Sequence, residues 1–334
     1  MLPSFTYVRP ESLYDAVRQL GPPGVRVLAG GSDLLGWLRD GVFTADRLVS
    51  LSRLDGLRGI AETSGGGLRI GALTTIADVA AHPLVIERYA GLAQAAAAVA
   101  SPQLRNQGTI GGNICQRPRC WYFRGDFHCA RKGGDTCFAM AGESQYHGIF
   151  GGNGCAIVHP SDTAPALVAL NAEARIAGPA GERAVPLERF FVLPRVSIEK
   201  ENVLERSEIV TEITIPAPPA ALRSSYRKVR GRGCWDFALT SLAMAIAVSA
   251  GKIERARIVL GGVAPVPWRL EEVEKLIIGK RLDAKLVGLA ADTAVKGAEP
   301  LAGNGYKVTL VKGVVTEALT ALIEPAGAQR KKGE

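Results

Sequence analysis

Five of the six cysteines in this 334-residue chain fall between positions 115 and 155, as Cys115, Cys120, Cys129, Cys137 and Cys155. Thiols gathered this way form disulfides, hold metal or have no shared role. A disulfide framework suits small exported domains, and this chain is large and opens without a basic segment followed by an apolar run, so no secretory leader is expected. Structural zinc commonly uses two C-x2-4-C knuckles, and apart from the single Cys115-x4-Cys120 spacing none occurs here. The intervening gaps of four, eight, seven and seventeen residues suit a loop that wraps an iron–sulfur cluster and covers its sulfurs. Arg117, Arg119, Arg124, Arg131 and Lys132 can offset the charge of several thiolates and lower their pKa values. Trp121, Tyr122 and Phe123 can keep water away. On spacing alone zinc stays open beside iron–sulfur.

Two glycine pairs carry a second kind of chemistry. In VLAGGSDLL (27–35) an apolar strand runs into Gly30-Gly31, and Ser32 can cap a helix whose first amides are unpaired, a geometry that favours a phosphate. In TIGGNIC (109–115) the glycines allow a close backbone approach and a nest of amides. Neither matches G-x-G-x-x-G, so a Rossmann dinucleotide site is excluded on spacing. His128, His147 and His159 lie in or near the cysteine segment, and no His/Asp/Glu constellation marks a substrate pocket.

The elements that must position these motifs alternate between helix and strand. Residues 1–55 read as a small α/β unit, with a helix at Pro10–Leu20, a strand at 26–30, a helix from Ser32 to about Asp40 and a strand at 47–51. A strand at 67–73 leads to a helix opening at Thr74 or Thr75, and the Ala-rich segment 91–104 has high helix propensity. Residues 161–179 read as a helix running into a strand, and 207–219 as a strand stopped by prolines. PAPPAALRS marks the best domain boundary. Beyond it, 237–248 (FALTSLAMAIAV) reads as a buried helix too short to span a membrane, followed by helices at 270–280, 283–296 and 309–323. The net charge of +8 is scattered apart from the C-terminal RKK, so it gives little support to a nucleic-acid stripe; only 117–132 interleaves basic and aromatic residues.

AGGSDLL, IGALTTIADVA, RNQGTIGGN, SDTAPALVAL, EIVTEITIP and YRKVR, in this order, resemble the FAD-binding medium subunit of the molybdenum hydroxylases, the family of xanthine dehydrogenase and carbon monoxide dehydrogenase. The resemblance spans nearly the whole chain. It implies an α+β fold that is not Rossmann: an N-terminal FAD-binding subdomain at 1–55, a second at 56–218 carrying an insert at about 115–156, and a C-terminal flavoprotein domain at 219–334. By this likeness Leu28, Ala29, Gly30, Gly31, Ser32, Asp33 and Leu34 wrap the flavin pyrophosphate. Thr109, Gly111, Gly112 and Asn113 form a second cradle. Ala100, Cys115, Asp162, Val210 and Lys228 meet the isoalloxazine or the ribityl chain, and Lys228 near the ring would favour the anionic reduced flavin. Cys115 stands where an aliphatic residue is usual, and it is taken as a flavin neighbour and not as an iron ligand.

Most of the family lacks a cysteine-rich insert. The medium subunits of bacterial aldehyde oxidoreductases and of 4-hydroxybenzoyl-CoA reductase have one, with an additional 4Fe-4S cluster, and their pattern transfers onto Cys120, Cys129, Cys137 and Cys155. QRPRCWYFR and ESQYHGIFGGNGCAIVHPSD look more like the aldehyde branch. The resemblance implies no substrate chemistry on this chain. Its partners would be a large molybdenum-cofactor subunit, a small subunit with 2Fe-2S clusters and an external acceptor, with a cytoplasmic location or periplasmic co-export with a partner. A stand-alone flavoprotein dehydrogenase and a zinc-bearing nucleic-acid module are the rival readings.

Overall fold

The computed structural model describes residues 2–219, 221–233 and 235–323. Cys234 and the basic C-terminal RKK lie outside these residues. Three sheets organise the described residues. The first is parallel, in the order β1 (Thr6–Val8), β3 (Arg47–Ser50), β2 (Val25–Leu28). Parallel neighbours need a crossover, and the Leu34–Arg39 helix provides the one between β2 and β3. This places the first glycine pair at the C-terminal end of β2.

The second sheet is antiparallel, in the order β4 (Ile60–Glu62), β5 (Leu68–Gly71), β8 (Ile209–Ile215), β6 (Glu173–Gly178), β7 (Gly181–Pro186). Its apolar residues Leu68, Ile70, Ile176 and Ile213 share one core with Leu92 and Leu167, from the helices Ala90–Ala97 and Thr163–Ala169. The 91–104 segment is not one helix. It breaks after Ala97, passes through Ala100 at φ 41° and restarts at Pro102 under a Ser101 cap. A non-glycine residue at positive φ stores strain and is held there by its surroundings.

The third sheet runs β9 (Leu222–Val229), β10 (Thr240–Ser249), β11 (Lys252–Gly261), β12 (Trp268–Arg269), with β12 and β9 at its edges. Here the helix expected at 237–248 is a strand. Alternate residues of β10 serve two cores: Leu242, Met244 and Ile246 pack with the C-terminal helices, while Ala243 and Ala245 join the core of the second sheet. A strand buried on both faces loses its polar alternation and reads as a continuous apolar run. The helices expected at 270–280, 283–296 and 309–323 form as Glu271–Ile277, Ala284–Ala294 and Tyr306–Thr320. No helix among the described residues is long and apolar enough to cross a membrane.

Candidate functional site

The first glycine turn is built differently from its sequence reading. The helix begins at Leu34, so Asp33 and not Ser32 is the cap residue, and the Asp33 side chain makes no capping bond. Its carboxylate turns to the cysteine loop instead. Asp33 accepts from the Arg117 amide (2.9 Å), Arg124 Nη2 (2.8 Å) and Trp37 Nε1 (3.0 Å), and Arg119 Nη1 lies 3.1 Å away. Burial alone would raise this carboxyl; Arg119 and Arg124 more than reverse that and hold it below the usual carboxylate range. Ser32 is exposed, Gly31 sits at φ 74°, and the amides of Gly30, Gly31, Ser32 and Asp33 bond to no acceptor among the described residues. Free donors beside two arginines and a single carboxylate fit a pyrophosphate. Asp33→Asn keeps the shape and removes the charge that two arginines face. Hydrogen bonds to a charged group contribute about 1.5–3 kcal/mol, so thermal unfolding should show a loss of that order, with faster proteolysis within 117–124.

The two glycine motifs touch. Gln107 Nε2 donates to Gly30 O (3.0 Å), and a Cβ on Gly30 would overlap the Gln107 carbonyl. The second motif is held by its own neighbours: Ile110 N donates to Thr74 O, Gly111 N to Ala72 O, Gly112 N to Thr109 Oγ1 and Asn113 N to Thr109 O. With these four amides already bonded, the exposed Gly112 backbone is what this turn offers a ligand. Asn113 Oδ1 accepts from Ser161 Oγ (2.6 Å) and Thr163 Oγ1 (2.7 Å), which ties the turn to SDTAP.

Asp162 and Lys228, 66 positions apart, form a buried ion pair (2.8 Å). Tyr226 OH donates to the other carboxylate oxygen (2.6 Å), and Lys228 Nζ also reaches Ala98 O (3.1 Å), in the strained turn that carries Ala100. Burial raises the Asp162 carboxyl even against Lys228 and pushes the Tyr226 phenol well up. Removing one partner of a buried pair costs about 3–5 kcal/mol. Lys228→Met should therefore unfold at a clearly lower temperature than Lys228→Met/Asp162→Asn, in which no charge is stranded. Val210 is buried in the second-sheet core at 6% exposure.

Cys120, Cys129, Cys137 and Cys155 all line one small cavity, with Tyr122, Phe123, Arg131 and His147. Cys115 is not on its wall; it packs against the second-sheet core, and burial pushes its thiol up to about 12. Burial pushes the Cys120 thiol up to about 11 against the pull of the nearby Phe123 and Tyr122 amides, and the amides of Ala156, Ala139 and Met140 favour the thiolate of Cys137. The Cys155 thiol and these amides lower Cys137, while Cys155 is raised. His147 Nε2 lies 3.2 Å from Cys120 Sγ, a neighbour that residue type alone did not mark. Among the described residues, no three His, Cys, Asp or Glu converge as a single metal ion requires. A multi-iron cluster takes its ligands at separate corners, and four cysteines on one cavity wall are the residue set such a cluster would use.

The basic residues mostly anchor the loop and do not face the sulfurs. Arg119 and Arg124 hold Asp33, and Arg117 (2.9 Å) and Arg131 (2.7 Å) share Glu201. Of the five basic residues expected to offset thiolate charge, Arg131 lines the thiol cavity; its Nη1 is held by Glu201, and its Nε and Nη2 have no hydrogen-bond partner among the described residues. Unpaired buried guanidinium nitrogens are costly without an anion, and these residues fit an anionic cluster.

Residues 3–218 match the family described as the FAD binding domain in molybdopterin dehydrogenase, and 224–322 match the CO dehydrogenase flavoprotein C-terminal domain. The chain belongs to this family: it is an oxidoreductase subunit, the FAD-binding medium subunit of the molybdenum hydroxylases. It is 36% identical over 95% of its length to the aldehyde oxidoreductase FAD-binding subunit PaoB of Escherichia coli (strain K12), covering 97% of that protein. It is 31% identical to the glyceraldehyde dehydrogenase medium chain of Sulfolobus acidocaldarius, over 85% of each chain. A chain of the carbon monoxide dehydrogenase structure from Hydrogenophaga pseudoflava superposes with a TM-score of 0.77 at 29% identity, covering 96% of this chain and 99% of that one.

Proposed function

We propose that this chain is the electron-transfer subunit of a molybdenum-dependent aldehyde oxidoreductase, carrying FAD and a 4Fe-4S cluster and working with a large molybdenum-cofactor subunit and a small 2Fe-2S subunit. The observation that carries the cluster assignment is the meeting of Cys120, Cys129, Cys137 and Cys155 on one cavity wall. The aldehyde assignment rests on likeness to the aldehyde oxidoreductase and glyceraldehyde dehydrogenase chains.

Residues 1–55 and 56–218 are assigned as the two FAD-binding subdomains, with the cluster insert at about 115–156, and 219–334 as the C-terminal domain. The turn from Leu28 to Leu34 holds the pyrophosphate with free amides, and Thr109 to Asn113 lines its other side. Ala100, Cys115, Asp162, Val210 and Lys228 surround the ring system. A flavin held by these residues would supply the redox chemistry that links the electrons reaching this subunit to an external acceptor. The chain's own residues fix its place: the Asp162–Tyr226–Lys228 network sets a rigid polar edge, and the Asp33 clasp joins the flavin turn to the cluster loop. A cytoplasmic location is assigned, with periplasmic co-export alongside a partner as the alternative. Copurification with large and small subunits, followed by an aldehyde panel with artificial acceptors, tests the assignment; full assembly without turnover of any aldehyde would refute the substrate class.

A further inference from the structure

A cavity of about 400 Å3 opens between the Leu34–Arg39 helix and the cysteine loop. It lies outside the flavin turn and shares Phe123 and Arg131 with the wall of the thiol cavity. Phe43 and the exposed Phe127 give it aromatic surface, over the buried Trp37 and Phe123, which pack edge-on at 5.0 Å. Arg117, Arg131 and Lys132 give it positive charge. The Arg117 guanidinium lies 4.5 Å from the Trp37 centroid and 5.0 Å from that of Phe123.

Against Arg117, Arg131 and Lys132 stand Asp126 on the same wall and Glu201 behind it, which leaves one positive charge in excess. Arg117 and Arg131 share one carboxylate, Glu201, and Lys132 binds only the Gly125 carbonyl. Asp126 and His128 also line the cavity. Its volume falls in the range of small-molecule sites, which combine apolar walls with a few fixed polar groups. Aromatic walls select a flat ring and surplus arginine and lysine select an anionic substituent. We propose that this cavity is a binding site for a planar aromatic anion, a fused ring bearing a sulfonate or carboxylate, held beside the cysteine loop. The site does not depend on the flavin assignment, only on the loop holding the form described.

Calorimetric titration of the assembled, cluster-loaded complex with naphthalene-2-sulfonate tests this. Saturable binding is expected, weakened about tenfold or more, the equivalent of about 1.4 kcal/mol, by Lys132→Glu and abolished by Val42→Trp, which fills the cavity. Iron and flavin contents serve as controls that both variants are intact. Neutral 2-methoxynaphthalene should bind at least as weakly as the sulfonate binds Lys132→Glu. Binding of the sulfonate that is absent in the wild type, or unchanged in both intact variants, overturns the proposal. A second arm separates two sources of such an anion, using 1,2-naphthoquinone-4-sulfonate as the oxidant in aldehyde turnover. Competitive inhibition by the redox-inert sulfonate identifies the ligand as an electron acceptor; non-competitive inhibition, with calorimetric binding intact, identifies a regulatory aromatic acid at the same site.

Discussion

Replacement of Cys129 by serine is expected to remove the cluster while leaving the flavin in place. Cys129 is buried and sits on the cavity wall with Cys120, Cys137 and Cys155. A hydroxyl is a poor substitute for a thiolate at an iron corner, so iron and acid-labile sulfide should each fall by about four per complex. The free amides of Gly30 to Asp33 lie on another turn, so flavin content should stay near that of the wild type. Cys115→Ala provides the matched control: that thiol does not line the cavity, and its loss should leave iron unchanged. Full turnover of the Cys129→Ser complex with lower heat resistance would mark the cluster as a brace; loss of turnover with subunits still assembled would mark it as a relay. Iron that follows Cys115 instead would contradict the ligand set.

Gly30→Val is expected to have the second large effect, on flavin. Its Cβ would overlap the Gln107 carbonyl, and backbone cannot rotate away as a flexible side-chain tip can. The two glycine turns must then part, and the Gln107 Nε2 bond to Gly30 O goes with them. Since β2 ends at Leu28, the sheet survives, and the loss should be of cofactor and not of fold. Flavin per protein should fall at least about tenfold, a change of about 1.4 kcal/mol or more in binding. Gly36→Val, where a Cβ meets nothing within 4 Å, should keep its flavin. Equal flavin in both variants would remove the turn from the cofactor site.

The elements that hold these motifs were legible where local pattern decides structure. A strand entering Gly30-Gly31, a helix after Thr75 and a strand at EIVTEITIP follow from short-range signals: an apolar run, a Thr cap and a terminal proline. Segment 237–248 was not legible, because burial on two faces erases the alternation that marks a strand. The same limit governs the site. Cysteine spacing pointed to a shared centre, but the pairing of Asp162 with Lys228 is a long-range product of packing the Thr163–Ala169 helix against the third sheet. The reading of Asp33 as part of a phosphate turn says nothing of its carboxylate, which holds the Arg117 amide, Arg119 and Arg124. Charges near the cysteines suggested direct compensation, whereas the fold gives Arg117, Arg119, Arg124 and Arg131 carboxylate partners, and of these Arg131 also lines the thiol cavity.

One chain holding both a flavin and a four-iron cluster is tested most directly by low-temperature EPR of the anaerobically purified complex under stepwise reduction, with flavin quantified in the same sample. Alongside the slowly relaxing two-iron signals of the small subunit, a fast-relaxing signal should grow in, visible only near liquid-helium temperature, in a one-to-one ratio with FAD. Two-iron signals alone in a fully reduced complex with its full complement of flavin would contradict the cluster assignment.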